Sequence, residues 1–273
     1  MAHYILIHGS WHGAWCWHKV ARRLRAHGHG VDVPDLPCHG RRWGVHGDVG
    51  LDDYVEAVAS PILAAGEPVV LVAHSRGGIV ASSVAERLPD RVERSIYVAA
   101  YLVPDGRTVA EYAVQDGDAM ILPNLDRDTG SGWDMLRSRA FREALYADCD
   151  EDDVALCELL LTPEPAAPTF TPMALTPGRF GRVPRSYIVL TRDRAVSPAL
   201  QRRMLEETAC DVLELDASHS AYFSRPDELT ALIESAGGGR TLDRGRGHDP
   251  RPDPRLASVT SNASGPGQSP RRA

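Results

Sequence analysis

The sequence predicts an α/β protein: a mostly parallel, doubly wound sheet with a helical cap inserted over one end. Three observations carry that expectation. Along residues 1–236, short β-branched or aliphatic runs alternate with segments of helical spacing. Some of these runs are apolar at every position, as strands are when both faces of a parallel sheet are covered. Residues 103–180 then break the alternation over a length that no plain crossover needs.

Taken in order, residues 4–7 form a first strand of aromatic and β-branched side chains. Residues 12–27 are helical, with Trp15, Val20 and Leu24 on or near one face and Gly28 as the stop. Residues 31–33 make a second strand closed by Pro34, and 51–65 a helix bent at Pro61. The run Val69-Val70-Leu71-Val72 is a buried strand, followed by a helix over 78–88 and a strand over 92–99. Inside the insertion, 133–147 and 152–161 read as helices, and prolines punctuate the chain at 163, 165, 168, 172 and 177. Strand 186–190, helix 198–208, strand 212–215 and helix 226–235 complete the series. The insertion reads as a cap, the natural lid of a binding site.

Composition excludes several classes. With 43% hydrophobic and 25% charged residues, the 273-residue chain is a folded one, not a disordered, collagenous or coiled-coil one. The net charge is −7 and no basic block interrupts the body, so a nucleic-acid partner has no electrostatic support. Apolar runs fall well short of the roughly 18 residues a membrane helix needs. The N-terminus lacks a basic n-region, and no signal peptide is expected. Five cysteines, at 16, 38, 149, 157 and 210, are odd in number and without CxxC spacing. They read as reduced thiols in a cytoplasmic protein, neither a disulfide framework nor a zinc site.

The composition changes at Gly237-Gly238-Gly239. From Arg240 onward the only aliphatic residues larger than alanine are Leu242, Leu256 and Val259, too few to offset chain entropy. The domain is therefore expected over 1–236, with a cap over about 103–180, and residues 237–273 as a disordered Gly/Pro/Arg-rich tail. Seven arginines against three aspartates give that tail +4, which leaves −11 on the body.

The sharpest chemical signal is Val72-Ala73-His74-Ser75-Arg76-Gly77-Gly78. A buried strand runs into Ser75 and a helix starts within two residues, the setting of a nucleophile elbow, with Ala73 in the first glycine place of G-x-S-x-G. Such a turn needs small neighbours, and it aims the amides and dipole of the next helix at any oxyanion formed there. A serine needs a base. In this architecture the order is serine, acid, histidine. Only His219 and His248 follow Ser75, and His248 lies in the tail, which leaves His219 in the loop before the last helix. The acid is expected after the preceding strand, at Asp193; Asp105, after an earlier strand, is its rival. The oxyanion donors are expected to be the backbone N–H groups of Arg76 and Ser10. His8 and His12 are spaced i, i+4 but have no paired carboxylate, so no metal is expected.

The run His8-Gly9-Ser10-Trp11-His12-Gly13-Ala14-Trp15-Cys16-Trp17, then Gly28-His29-Gly30-Val31 and Asp35-Leu36-Pro37, resembles a branch of the α/β-hydrolase superfamily. That branch holds plant methylesterases, salicylate-binding esterases and hydroxynitrile lyases, and the likeness is closest to its bacterial esterase-like members. Thr191-Arg192-Asp193-Arg194-Ala195-Val196-Ser197-Pro198 is similar to its acid loop. The resemblance spans about residues 3–236 and implies a triad of Ser75, Asp193 and His219, without cofactor or metal. Hydroxynitrile lyases of the branch carry threonine after the first-strand histidine and lysine beside the catalytic histidine. Gly9 and Ser220 stand there instead, which favours ester hydrolysis. Arg76 departs from the leucine, methionine, tyrosine or cysteine that the branch mostly has, and Cys38 stands where glycine is common.

The expected function is a serine carboxylesterase acting through an acyl-enzyme on small, apolar or aromatic esters, methyl esters first. The alternative is a lyase or eliminase using Ser75 and His219 as an acid–base pair. A ligand receptor with a vestigial triad stands behind both. Gly9, Trp133, Met135, Phe141 and Ser220, with Leu145, are the expected pocket residues. A small-molecule ester and at most a second copy of the chain are the expected partners; neither nucleic acid nor membrane is.

Overall fold

The computed structural model describes residues 1–44 and 48–238. Its body is a six-stranded parallel sheet in the order β2-β1-β3-β4-β8-β9. Strand β1 (His3–Ile7) leads through a 3-10 turn (Ala14–Trp17) into α1 (His18–Ala26), which ends before Gly28 at φ 86°. Strand β2 (Gly30–Asp32) and α2 (Leu51–Ala64) follow, the latter running through Pro61 into its last turn. Next come β3 (Val69–His74), α3 (Gly77–Arg87) and β4 (Val92–Val98).

The periodicity of the strands explains how the layers form. Successive side chains point to opposite faces of a strand. Tyr4, Leu6, Val70, Val72, Ile96 and Val98 share one core with α1, whereas Ile5, Ile7, Val69, Leu71, Ala73 and Tyr97 share another with α2 and α3. All six residues of β3 are buried, which is why that strand reads as an unbroken apolar run.

Between β4 and the next core strand lies the cap. It consists of α4 (Val109–Ala113), β5 (Leu125–Asp128), β6 (Trp133–Leu136), α5 (Ser138–Leu145), α6 (Glu151–Leu160), β7 (Glu164–Pro165) and α7 (Ala167–Phe170). Here the helix expected over 133–147 is corrected. Its first four residues are β6, the middle strand of an antiparallel sheet β5-β6-β7, and the helix begins only at Ser138. Gly132, at φ 73°, turns the chain into β6, where burial alternates residue by residue.

The body resumes with β8 (Arg185–Leu190), α8 (Pro198–Glu207), β9 (Asp211–Leu215), the single turn α9 (Ala221–Ser224) and α10 (Pro226–Gly237). Gly237, expected to open the tail, is the last residue of α10; a Cβ there would lie 2.7 Å from the Tyr4 hydroxyl. Residues 239–273 of the expected tail, His248 among them, lie outside the described residues. No described helix is long and apolar enough to cross a membrane. None of the five cysteines is in a disulfide, and only Cys210 is not buried.

Candidate active site

β3 ends at His74 and α3 begins at Gly77, so the chain reverses through Ser75 and Arg76 alone. Ser75 takes φ 53°, a left-handed conformation costing a non-glycine residue roughly 1–2 kcal/mol. Neighbouring backbone imposes it. The Ser75 N–H donates to the Val98 carbonyl at 3.3 Å, and its own carbonyl accepts from Gly78 N at 3.1 Å and Tyr101 N at 2.9 Å. A Cβ at Gly77 would sit 2.6 Å from the His8 carbonyl oxygen, so the position behind the serine has no room for a side chain. Ala73 tolerates its methyl because that group joins the core under α2 and α3.

His219 lies between β9 and α9. Its Nδ1 is 2.7 Å from Asp193 Oδ2, and both side chains are almost fully buried. A carboxylate only accepts, so Nδ1 carries the proton and Nε2 is left with a lone pair. The other oxygen, Oδ1, accepts from the Ala195 and Val196 amides at 2.7 and 3.0 Å, which fixes the carboxylate plane. The flanking arginines turn outward: Arg192 pairs with Asp148 and Asp216, and Arg194 with Glu143. Asp105 is exposed and accepts instead from the Leu175 N–H, so the structure brings Asp193, not Asp105, to His219.

Ser10 and Arg76 both border the cavity that Ser75 and His219 face. Neither backbone N–H has an acceptor among the described residues, as expected of oxyanion donors. The Ser10 carbonyl accepts from the His12 N–H at 2.7 Å and from His12 Nδ1 at 2.6 Å. His8 and His12 have both ring nitrogens engaged: His8 with the Gly9 carbonyl and the Leu36 N–H, His12 with Ser10 and the Tyr146 hydroxyl. Burial holds both rings neutral, pushing His8 well below its ordinary value and His12 down to about 4. They brace the loop and leave no lone pair for a metal.

The cavity encloses about 110 Å³. Its lining combines apolar side chains, Val109, Ala113, Ile121, Leu122, Leu125 and Leu145 among them, with the charged Arg76, Arg127, Asp134 and Glu164. The Arg76 guanidinium is buried, with Nη2 2.5 Å from Glu164 Oε2 and Nη1 3.0 Å from Thr169 Oγ1. Burial would raise the Glu164 pKa, but Arg76, His39 and the Trp11 N–H more than offset it and hold the carboxyl below its usual range. At Asp134 the balance falls the other way: burial, then the charge of Glu164, raise it to about 6 despite Arg76, the Trp11 indole and Arg127.

Of the expected pocket residues, only Leu145 borders the cavity. Gly9 packs behind the serine, where a Cβ would lie 2.6 Å from Ser75 Cβ. Trp133 and Met135, being on β6, border a separate outer depression. Phe141, on α5, is buried in the core, and Ser220 is buried against the Tyr222 hydroxyl. The cavity carboxylates Asp134 and Glu164 carry no sequence signal, because antiparallel pairing of β6 with β7 is what sets them opposite each other. Cys38, where glycine is common, indeed has φ 66°.

Comparison with known proteins agrees with this architecture. The profile of the "Alpha/beta hydrolase family" matches residues 4–232. "Methylesterase 9" of Arabidopsis thaliana is 32% identical over 245 residues, covering 84% of this chain and 95% of that protein. "Esterase PIR7B" of Oryza sativa subsp. japonica is 31% identical over 260 residues, covering 85% and 94%. Among solved structures, a pyrethroid hydrolase from Sphingobium faniae JZ-2 superimposes with a TM-score of 0.79 at 27% identity, covering 88% of this chain and 98% of that one.

Proposed function

The chain belongs to the alpha/beta hydrolase family, in its plant methylesterase branch, and from that premise we propose that it is a serine carboxylesterase hydrolysing small apolar or aromatic esters. The observation that carries the reading is the buried Asp193–His219 pair, whose histidine lines the same cavity as a serine held at positive φ. In this reading Ser75 Oγ attacks the ester carbonyl while His219 Nε2 takes its proton. Asp193 keeps the proton on Nδ1 and stabilises the imidazolium. The Ser10 and Arg76 amides receive the oxyanion. His219 then protonates the departing alcohol, and water attacks the acyl-enzyme with the same base in the same role.

The apolar lining supports an acyl group that is hydrocarbon or aromatic. Arg76 offers nothing to an acidic substrate, since Glu164 already neutralises its guanidinium. The lyase reading loses support at Gly9, where on this backbone a threonine Cβ would collide with Ser75. A panel of short-chain, aromatic and methyl esters tests the proposal. Turnover of aromatic or methyl esters, lost by about 10³- to 10⁶-fold in Ser75→Ala, is the expected result. Turnover that survives Ser75→Ala would refute it.

A further inference from the structure

One carboxylate oxygen gathers three donors from separate parts of the chain. Glu164 Oε2 lies 2.5 Å from Arg76 Nη2, 2.9 Å from His39 Nε2 and 3.0 Å from the Trp11 backbone nitrogen. Arg76 follows Ser75, and Trp11 follows Ser10. Two of the three residues that Glu164 grips therefore bear, or adjoin, the two amides proposed for the oxyanion.

Trp11 needs that grip. Its φ is 59°, a strained value for a bulky residue. Every polar group it has is held by the cap: the N–H by Glu164, the carbonyl by the Thr162 N–H at 3.0 Å, and the indole N–H by Asp134 Oδ1 at 2.9 Å. The Trp11 N–H lies in one peptide plane with the Ser10 carbonyl, and the Ser10 N–H belongs to the plane before it, so the bond to Glu164 fixes the peptide unit next to that donor. The cap also bears a cost. Pairing sets Asp134 and Glu164 directly opposite on adjacent strands, a like-charge arrangement that opposes folding unless something else requires it.

We propose that Glu164 is a positioning residue for the oxyanion site: through Trp11 it holds the loop that bears the Ser10 amide at the geometry of the transition state, so the cap sets the catalytic centre as well as covering it. This rests on the esterase reading. The role belongs to the acceptor on Trp11 more than to the charge, because Arg76 contributes its amide whatever its side chain is.

Two double variants separate these contributions. Replacing both members of a buried ion pair by apolar side chains of similar size preserves folding in many proteins. In Glu164→Leu/Arg76→Leu the Trp11 amide loses its acceptor; in Glu164→Gln/Arg76→Leu the amide oxygen restores it without the charge. With p-nitrophenyl acetate, the first is expected to lose about 10- to 100-fold in kcat with KM within about 3-fold, as misplacement of a transition-state contact does. The second is expected to recover most of that kcat at a similar melting temperature. Unchanged kcat in the first variant, or equal losses in both, would overturn the proposal while the active wild type leaves the esterase reading standing. A wild type that hydrolyses no ester and is not phosphonylated at Ser75 would sink the esterase reading and this inference together.

Discussion

His74 Nε2 donates to the carbonyl oxygen of His219 at 2.9 Å, so the residue before the serine carries the residue that bears the base. The ring centroids lie 4.3 Å apart, and the other nitrogen of His74 is buried without a hydrogen-bond partner among the described residues. A single N–H thus couples the elbow to the histidine loop. His74→Leu should lower kcat by about 10- to 100-fold, the order expected for a displacement near 1 Å. His74→Gln keeps a donor at similar reach and should retain most activity. Steady-state kinetics on both variants checks this.

Arg76→Leu alone should be far worse for stability than for specificity. It leaves Glu164 charged, 1% exposed and without its guanidinium partner. Breaking a buried pair in this way costs about 3–5 kcal/mol, which lowers Tm by on the order of 10 °C in a domain this size. Because the guanidinium is already engaged, KM for acidic and neutral esters should change alike. Thermal melts and a matched ester pair measure both effects.

Acid should weaken the fold through buried neutral histidines. Burial lowers the pKa of His8, His12 and His74, with His12 at about 4. In the unfolded chain they take up protons near pH 6.5, so the unfolded state gains as pH falls below that value. Their contribution is complete above about pH 6.5 and is lost progressively toward pH 4, His12 alone accounting for about 3 kcal/mol. Denaturant titrations between pH 7.5 and 4 should show steadily falling stability.

Asp134 acts in the opposite sense. Its folded pKa is raised to about 6, so its contribution is complete below the unfolded value near 4 and is lost as pH rises through 6. One such group cannot outweigh three histidines, but a substitution isolates it. Asp134→Asn keeps an acceptor for the Trp11 indole and should raise Tm at pH 8 by about 2–8 °C, with the gain vanishing near pH 4. An equal gain at both pH values would mean that the charge is not the cause.

Where local strings determine structure, the sequence is an adequate guide. The unbroken run of β3, the small residues around Ser75 and the strand ahead of Asp193 are each defined within about ten residues, and all take the expected form. Trp133–Leu136 was expected to be helical because its alternation is only four residues long and a helix follows directly. Its strand state is decided by pairing with β5 and β7, a non-local fact. Glu164 was illegible for the same reason. Nothing near it in sequence signals an arginine 88 positions earlier and a loop amide at Trp11.

The most direct test is peptide mapping by mass spectrometry after reaction with a fluorophosphonate. The account predicts one adduct, on the peptide containing Ser75, formed at a rate that falls by orders of magnitude in His219→Ala and Asp193→Asn. An adduct on another serine, or labelling of Ser75 that is indifferent to both substitutions, would contradict it.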